Sequence, residues 1–176
     1  MRNKKVLFVT QAAMIAAVYI VLTYFVSAFN LASGAIQVRI SEALTILPYF
    51  TPAAIPGLFI GCLLSNLLTG SVLLDVIFGS LATLLGALGT YALRQHKFLL
   101  TLPPVLSNAI IVPLLLKFVY FPDVAYHIHG IDVTILFYMV TVGIGEIISV
   151  CLLGSLLLRL LTPYRQYIEG GTTFNQ

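Results

Sequence analysis

The chain has 176 residues, of which 60% are hydrophobic and only 9% charged, and its mean hydropathy is +1.05. A soluble domain carries about a quarter of its residues as Asp, Glu, Lys or Arg, so the composition excludes an ordinary water-soluble domain. Each helical crossing of a bilayer needs about 20 apolar residues. We therefore expect residues 1–176 to form a single integral membrane domain of about five to seven helices.

Six apolar spans can be drawn along the sequence, at about 6–29, 40–50, 53–69, 72–93, 101–120 and 133–160. The first follows a basic N-terminus and is longer than the roughly 7 to 15 apolar residues of a signal peptide, so it is interpreted as a retained transmembrane helix. The second ends at Pro48 and is too short to cross alone. It forms either a hairpin with the third span or one kinked crossing over 40–69.

The distribution of cations favours the hairpin, because cytoplasmic segments of membrane proteins are enriched in Lys and Arg. Six crossings with both termini in the cytoplasm place seven cations inside and two outside. The inner set is Arg2, Lys4, Lys5, Arg94, Lys97, Arg159 and Arg165, and the outer set is Arg39 and Lys117. The net charge of +3 is thus explained by topology, and no nucleic acid partner is expected.

Ionisable groups inside a membrane span are costly and are functional candidates by default. Glu146 ends the stretch TVGIGE and lies about 13 residues from the outer end of its span, near mid-membrane. It has no Lys or Arg three or four residues away, so its partner is a ligand or another helix. Asn108 is predicted at a similar depth on the adjacent span, where it binds a ligand or hydrogen-bonds between helices.

Four more polar residues lie near the predicted outer surface. Asp75 begins the fourth span, as a helix N-terminal charge or as a ligand-binding group with Phe78 continuing its face, and Asn66 is a weaker candidate. Arg39 and Glu42 are three residues apart, which suits either a surface ion pair or polar groups that a lid segment carries into a cavity. The sequence leaves each of these pairs of readings open.

Enzymatic motifs are missing from the sequence. There is no phosphate-binding G-x-x-x-x-G-K-[ST] loop, no H-E-x-x-H and no G-x-S-x-G, so an enzyme is not expected and any ATP is hydrolysed by another chain. His127 and His129 fit a solvated loop better than a metal site, because no third ligand accompanies them. No metal and no cofactor are expected on this chain.

Two overlapping pairs of alanines on the first span allow close approach of another helix. They are Ala12 with Ala16 and Ala13 with Ala17. The pattern fits packing within the chain as well as docking of a partner subunit.

Two stretches carry a resemblance to a known family. VRISEALTILPYFTPAAIPGLFIGCLLSN and LLDVIFGSLATLLGALGTY resemble the QueT family, substrate-binding S components of energy-coupling factor transporters. The resemblance implies an all-α bundle of six transmembrane helices in the bacterial cell membrane. It also implies capture of a small solute from outside, docking through the alanine pairs on a transmembrane T subunit with two ATPases, and release inward.

The same resemblance implies a queuosine precursor as substrate, 7-aminomethyl-7-deazaguanine or a related deazaguanine or queuine. Its guanine-like edge carries adjacent N–H donors and its aminomethyl group is cationic. Glu146 or Asp75 is then expected at the donor edge, Asn108 at the carbonyl or ring nitrogen, and the remaining acid near the ammonium, with Tyr138 or Phe78 stacking on the rings. The alternatives are an S component for another vitamin-like heterocycle, or a membrane channel or scaffold whose acids only hold helices together.

Overall fold

The computed structural model describes residues 4–28 and 38–168, which are almost entirely helical. The main helices are α1 (Lys4–Ala28), a 3-10 helix (Ile40–Tyr49), α2 (Ala54–Leu68), α3 (Leu73–Ala92), α4 (Leu102–Leu115) and α5 (Thr134–Glu146). The shorter elements are a 3-10 turn (Lys97–Leu99), a π-helix (Leu116–Tyr120), strands β1 (His127–Ile128) and β2 (Ile131–Asp132), a π-helix (Ile147–Gly154), α6 (Ser155–Leu161), a 3-10 turn (Thr162–Tyr164) and α7 (Arg165–Ile168). Residues 30–37 of the predicted lid loop, 30–39, and the C-terminal tail from residue 169 lie outside the described residues.

Four helical stretches in the described part of the chain are long and apolar enough to cross a membrane, namely Lys4–Ala28, Leu73–Ala92, Lys97–Tyr120 and Thr134–Ile168. Helix α2 is apolar but shorter. Large apolar side chains cover the outside of the bundle, as a lipid-facing surface requires. The prediction of an all-α membrane bundle is confirmed, whereas the number of crossings and the side on which the termini lie stay predictions.

The chain reverses direction between the 3-10 helix and α2. The Thr51 hydroxyl donates to Gln11 near the start of α1, at 2.8 Å. The Thr23 hydroxyl, three turns further along α1, donates to the hydroxyl of Ser41 at the start of the 3-10 helix, at 2.8 Å. The 3-10 helix therefore runs antiparallel to α1, and α2 turns back beside it. This is the hairpin that the charge distribution predicted.

The 3-10 helix is an unusual core element, because 3-10 runs longer than three or four residues are uncommon. It is enclosed by α1, α2, α3, α6 and the π-helix at 147–154, and almost all of its side chains are buried. Irregular backbone at membrane depth is tolerated where protein rather than lipid surrounds it. The polar residues at its start therefore face the interior of the bundle.

Helices α1 and α2 pack with their backbones in close contact. A Cβ atom added at Gly57 would lie 2.7 Å from the carbonyl oxygen of Ala12, and one at Gly61 would lie 3.1 Å from the Cα of Ala16. The prediction that Ala12 and Ala16 dock a partner is wrong for this pair, because α2 of the same chain covers them. Ala13 and Ala17 are exposed on the other side of α1.

The two ends of the described chain meet at one end of the bundle. The Gln11 side-chain amide donates to the carbonyl oxygen of Ile168 at 2.6 Å, and the Arg165 guanidinium lies over the ring of Tyr49 at 5.1 Å. The cavity described next opens near the opposite end, where α1 finishes and α3 starts.

Candidate functional site

A cavity of about 350 Å³ lies between α1, α2, α3 and α4. Its lining combines apolar residues with polar groups from five helical segments, among them Tyr19, Arg39, Ser41, Asn66, Asp75 and Tyr120. Small-molecule sites have volumes on the order of 300–1,000 Å³ and a few convergent polar groups in a mostly apolar wall. The cavity therefore has the size and composition of a site for one small molecule.

Asp75 and Arg39 form the charged part of the cavity wall. The Asp75 carboxylate accepts a hydrogen bond from the Tyr120 hydroxyl at 2.8 Å and lies 4.0 Å from the Arg39 guanidinium. Asp75 lies in the first turn of α3, where a negative charge complements the helix dipole, and its carboxylate contacts the cavity residues Tyr120 and Arg39. Arg39 faces Asp75, and the alternative of a surface ion pair between Arg39 and Glu42 is wrong.

Glu42 is fully buried on the 3-10 helix. Its Oε1 atom accepts hydrogen bonds from the hydroxyls of Tyr19 and Thr83, the latter at 3.0 Å. Its Oε2 atom accepts from the side-chain amide of Asn108 at 3.5 Å. A buried carboxylate is tolerated when donors surround it, and α1, α3 and α4 each supply one.

Asn108 and Glu146 complete what we call the deep acceptor group, defined as Glu42, Asn108 and Glu146. Asn108 is 0% exposed and Glu146 is 3% exposed. The Glu146 carboxyl hydrogen-bonds with the Asn108 side chain and interacts electrostatically with Glu42 and Arg39. Adjacent helices thus bring Asn108 and Glu146 together, as their equal depth predicted.

Two oxygens of the deep acceptor group have no hydrogen-bond partner among the described residues, Asn108 Oδ1 and Glu146 Oε2. Most buried polar atoms in proteins are hydrogen-bonded, and leaving one unpaired costs about 1–3 kcal/mol. Asn108 Oδ1 is an acceptor, and Glu146 Oε2 is an acceptor when its carboxyl group is ionised. The group therefore has unused capacity for N–H or O–H donors.

Asn66 and Gly79 stand beside Asp75. The Asn66 side-chain amide lies 3.4 Å from the backbone carbonyl oxygen of Asp75. A Cβ atom at Gly79 would lie 2.9 Å from Asp75 Oδ1 and 3.2 Å from Asn66 Nδ2. The glycine therefore leaves the space that these two polar side chains occupy.

Neither predicted stacking aromatic lines the cavity. Phe78 is 45% exposed on the outside of α3. Tyr138 is buried behind the cavity wall, in a cluster with Val112, Leu116 and Val142. The α-helical period places Phe78 one position off the face that carries Asp75 and Gly79, which explains its outward position. Aromatic side chains in the wall are instead Tyr19, Tyr120 and Phe121.

The segment after α4 is held against the bundle by several contacts. Lys117 donates to the carbonyl oxygen of Val124 at 2.7 Å and lies 3.9 Å from Asp132. Hydrogen bonds from the Thr134 side chain and backbone lower the pKa of the Asp132 carboxyl. Strands β1 and β2 pair in this loop across a turn in which His129 and Gly130 have positive φ.

Within residues 4–28 and 38–168, no group of three or more His, Cys, Asp or Glu could hold a metal ion.

Sequence reasoning missed Tyr19, Thr83 and Tyr120. A signal for Thr83 was present, because it lies eight residues after Asp75, and residues four apart share one face of a helix. Tyr19 and Tyr120 carried no such signal. A tyrosine in an apolar span reads as ordinary hydrophobic sequence until its hydroxyl is seen to meet a carboxylate.

Comparison with known proteins now gives the family. The family model described as "QueT transporter" matches residues 9–163. A curated relative from Lactococcus lactis subsp. cremoris (strain MG1363), named "Queuosine precursor transporter QueT", is 36% identical over 84 residues. That alignment covers 48% of this chain and 49% of the relative, so it spans about half of each protein. No solved structure matches the chain significantly.

The family match includes the 3-10 helix with Glu42, every residue that lines the cavity, and the deep acceptor group. It extends over most of the chain, far beyond the two stretches that carried the resemblance. The chain therefore belongs to the QueT transporter family.

Proposed function

We propose that the chain is a membrane-embedded capture subunit that binds a queuosine precursor, 7-aminomethyl-7-deazaguanine or a related deazaguanine. It then delivers the molecule inward by docking on a transmembrane T subunit that associates with two ATPases, in the bacterial cell membrane. The chain itself performs no chemical reaction. The observation that carries the proposal is the cavity with the deep acceptor group beneath it, in a member of this family.

The charges around the cavity support a cationic, donor-rich ligand. Among the described residues, the cavity wall and the deep acceptor group contain three carboxyl groups and one guanidinium. The carboxyl groups are those of Glu42, Asp75 and Glu146, and the guanidinium is that of Arg39. An excess of carboxyl groups in an apolar interior favours a positive charge. The aminomethyl group supplies that charge, and the guanine-like edge supplies N–H donors.

The positions of the acids support a two-ended arrangement of the ligand. Asp75 lies in the cavity wall, and Glu146 lies deeper, beside Asn108. One acid meets the donor edge and the other meets the ammonium. The unpaired Oδ1 of Asn108 accepts from a ring N–H, because its amide already donates to Glu42. A flat bicyclic molecule fits the cavity of about 350 Å³, whose lining includes Asp75, whereas Glu146 and Asn108 lie behind that lining.

We expect Glu146→Gln and Asp75→Asn each to weaken binding of 7-aminomethyl-7-deazaguanine by roughly 10- to 150-fold, because a hydrogen bond to a charged group contributes about 1.5–3 kcal/mol. Titration calorimetry on the purified protein measures the change. The matched control is Asp123→Asn, which alters an exposed acid of the outer loop and should leave Kd unchanged. Undiminished affinity of both variants for every deazaguanine tested would remove these roles, and a scaffold would bind none of them even as wild type.

The exposed pair Ala13 and Ala17 supports docking of the partner subunit, because small residues let a second helix approach closely. We expect the double variant Ala13→Leu, Ala17→Leu to lose co-purification with the T subunit while keeping wild-type affinity for the ligand. Val18→Phe is the control, since Val18 is exposed on a different face of the same helix. Equal co-purification of wild type and the double variant would rule out this face.

A further inference from the structure

Tyr19 separates the cavity from the deep acceptor group. Its hydroxyl donates to Glu42 Oε1, and the same side chain lines the cavity. Its Cβ atom lies against α2, 2.9 Å from where a Cβ at Gly61 would be. The tyrosine thus contacts the cavity on one side and the buried carboxylate on the other.

The other two donors to Glu42 do not have this double position. Thr83 and Asn108 reach the carboxylate from α3 and α4, and neither belongs to the cavity lining. Among the described donors to Glu42, Tyr19 is therefore the one that a molecule in the cavity can replace directly.

The cavity ends close to the two unpaired oxygens. Val112 lines the cavity and lies four residues, one helical turn, after Asn108. Asn108 Oδ1 and Glu146 Oε2 are buried acceptors without donors in the described chain. A ligand with several N–H groups would gain most by reaching these atoms, and Tyr19 stands in its way.

We propose that Tyr19 is a positioning residue that a donor-rich ligand displaces, a step that rests on the proposed function. The ring turns away from Glu42, an N–H of the ligand takes the place of the Tyr19 hydroxyl on Oε1, and further N–H groups reach Asn108 Oδ1 or Glu146 Oε2. Tyr19 then sets specificity, because only a ligand that replaces the lost hydrogen bond can open the deep acceptor group. Molecules that merely fill the cavity leave the tyrosine on Glu42.

The sign of the effect of Tyr19→Phe tests this proposal. The variant lacks the hydroxyl that the ligand must displace, so 7-aminomethyl-7-deazaguanine should bind about 2- to 12-fold more tightly, the value of one ordinary hydrogen bond. The gain should shrink for the 7-deazahypoxanthine analogue, which lacks the exocyclic 2-amino group. Tyr49→Phe is the matched control, because Tyr49 is buried near the opposite end of the 3-10 helix and should leave Kd unchanged.

Each result has a distinct meaning. Weaker binding by Tyr19→Phe would show that the hydroxyl contacts the ligand, and unchanged binding would show that Tyr19 stays on Glu42; either result overturns the proposal while leaving the proposed function intact. If Tyr19→Phe fails to fold, Tyr19→Leu gives the same comparison and should bind more tightly than wild type. A wild-type protein that binds no deazaguanine would overturn the proposed function, and this inference with it.

Discussion

Replacing Glu42 with alanine is expected to lower the free energy of unfolding by about 2–6 kcal/mol. Two buried donors, the hydroxyl of Tyr19 and the amide of Asn108, would lose their acceptor, and each unpaired buried group costs about 1–3 kcal/mol. Thr83 would suffer less, because its hydroxyl also lies 3.3 Å from the carbonyl oxygen of Gly79. Glu42→Gln should lie between wild type and Glu42→Ala, since its amide keeps one acceptor oxygen.

The buried cysteine provides the measurement, because the chain contains no tryptophan. Cys62 is fully buried and free, whereas Cys151 is partly accessible. In a Cys151→Ala background, a thiol-reactive dye therefore follows the exposure of Cys62 during thermal unfolding. Asp123→Ala, at an exposed acid, is the control. An unchanged midpoint for Glu42→Ala would mean that these hydrogen bonds contribute nothing to stability.

Gly57→Ala is expected to destabilise the bundle by about 1–3 kcal/mol, the usual cost of overpacking. The new methyl group would lie 2.7 Å from the carbonyl oxygen of Ala12 and 3.1 Å from the Cβ of Ile15. A backbone oxygen of a helix cannot move aside as a flexible side chain can. Helix α1 would therefore have to shift away from α2.

Gly143→Ala is the matched control for this prediction. It is the same change in a helix interior, but the nearest atom to the new methyl group, Ala109 Cβ, is 3.9 Å away, an ordinary contact. Both variants can be compared with the same dye assay in the Cys151→Ala background. Equal midpoints for the two variants would contradict close packing of α1 on α2.

Much of the candidate site could be predicted from the sequence, because a charged or amide side chain in an apolar span is conspicuous. Glu42, Asp75, Asn108 and Glu146 were all selected on that ground, and all four are buried in the cavity wall or the deep acceptor group. Whether they bind the ligand stays a prediction. The stacking role of Phe78 has no support from its outward position, because hydrophobicity alone does not distinguish an aromatic facing lipid from one facing a cavity.

The partners of these side chains were decided by tertiary structure. Arg39 and Glu42 are three residues apart, yet Arg39 faces Asp75 on α3 while Glu42 binds groups from α1, α3 and α4. Local spacing predicts contacts along one helix, and a 3-10 helix enclosed by others has more neighbours across space than along the chain.

The sequence by itself determined that this protein lies in a membrane, roughly where its helices run, and which polar groups are buried in it. Those properties depend on hydrophobicity summed over each span and on the cost of placing a charge in hydrocarbon. Only the tertiary structure decided that Ala12 and Ala16 pack against α2, that the Tyr19 hydroxyl donates to Glu42, and that the Tyr120 hydroxyl donates to Asp75. These contacts join residues 23 to 45 positions apart along the chain, and they depend on how whole helices pack, which no local pattern encodes.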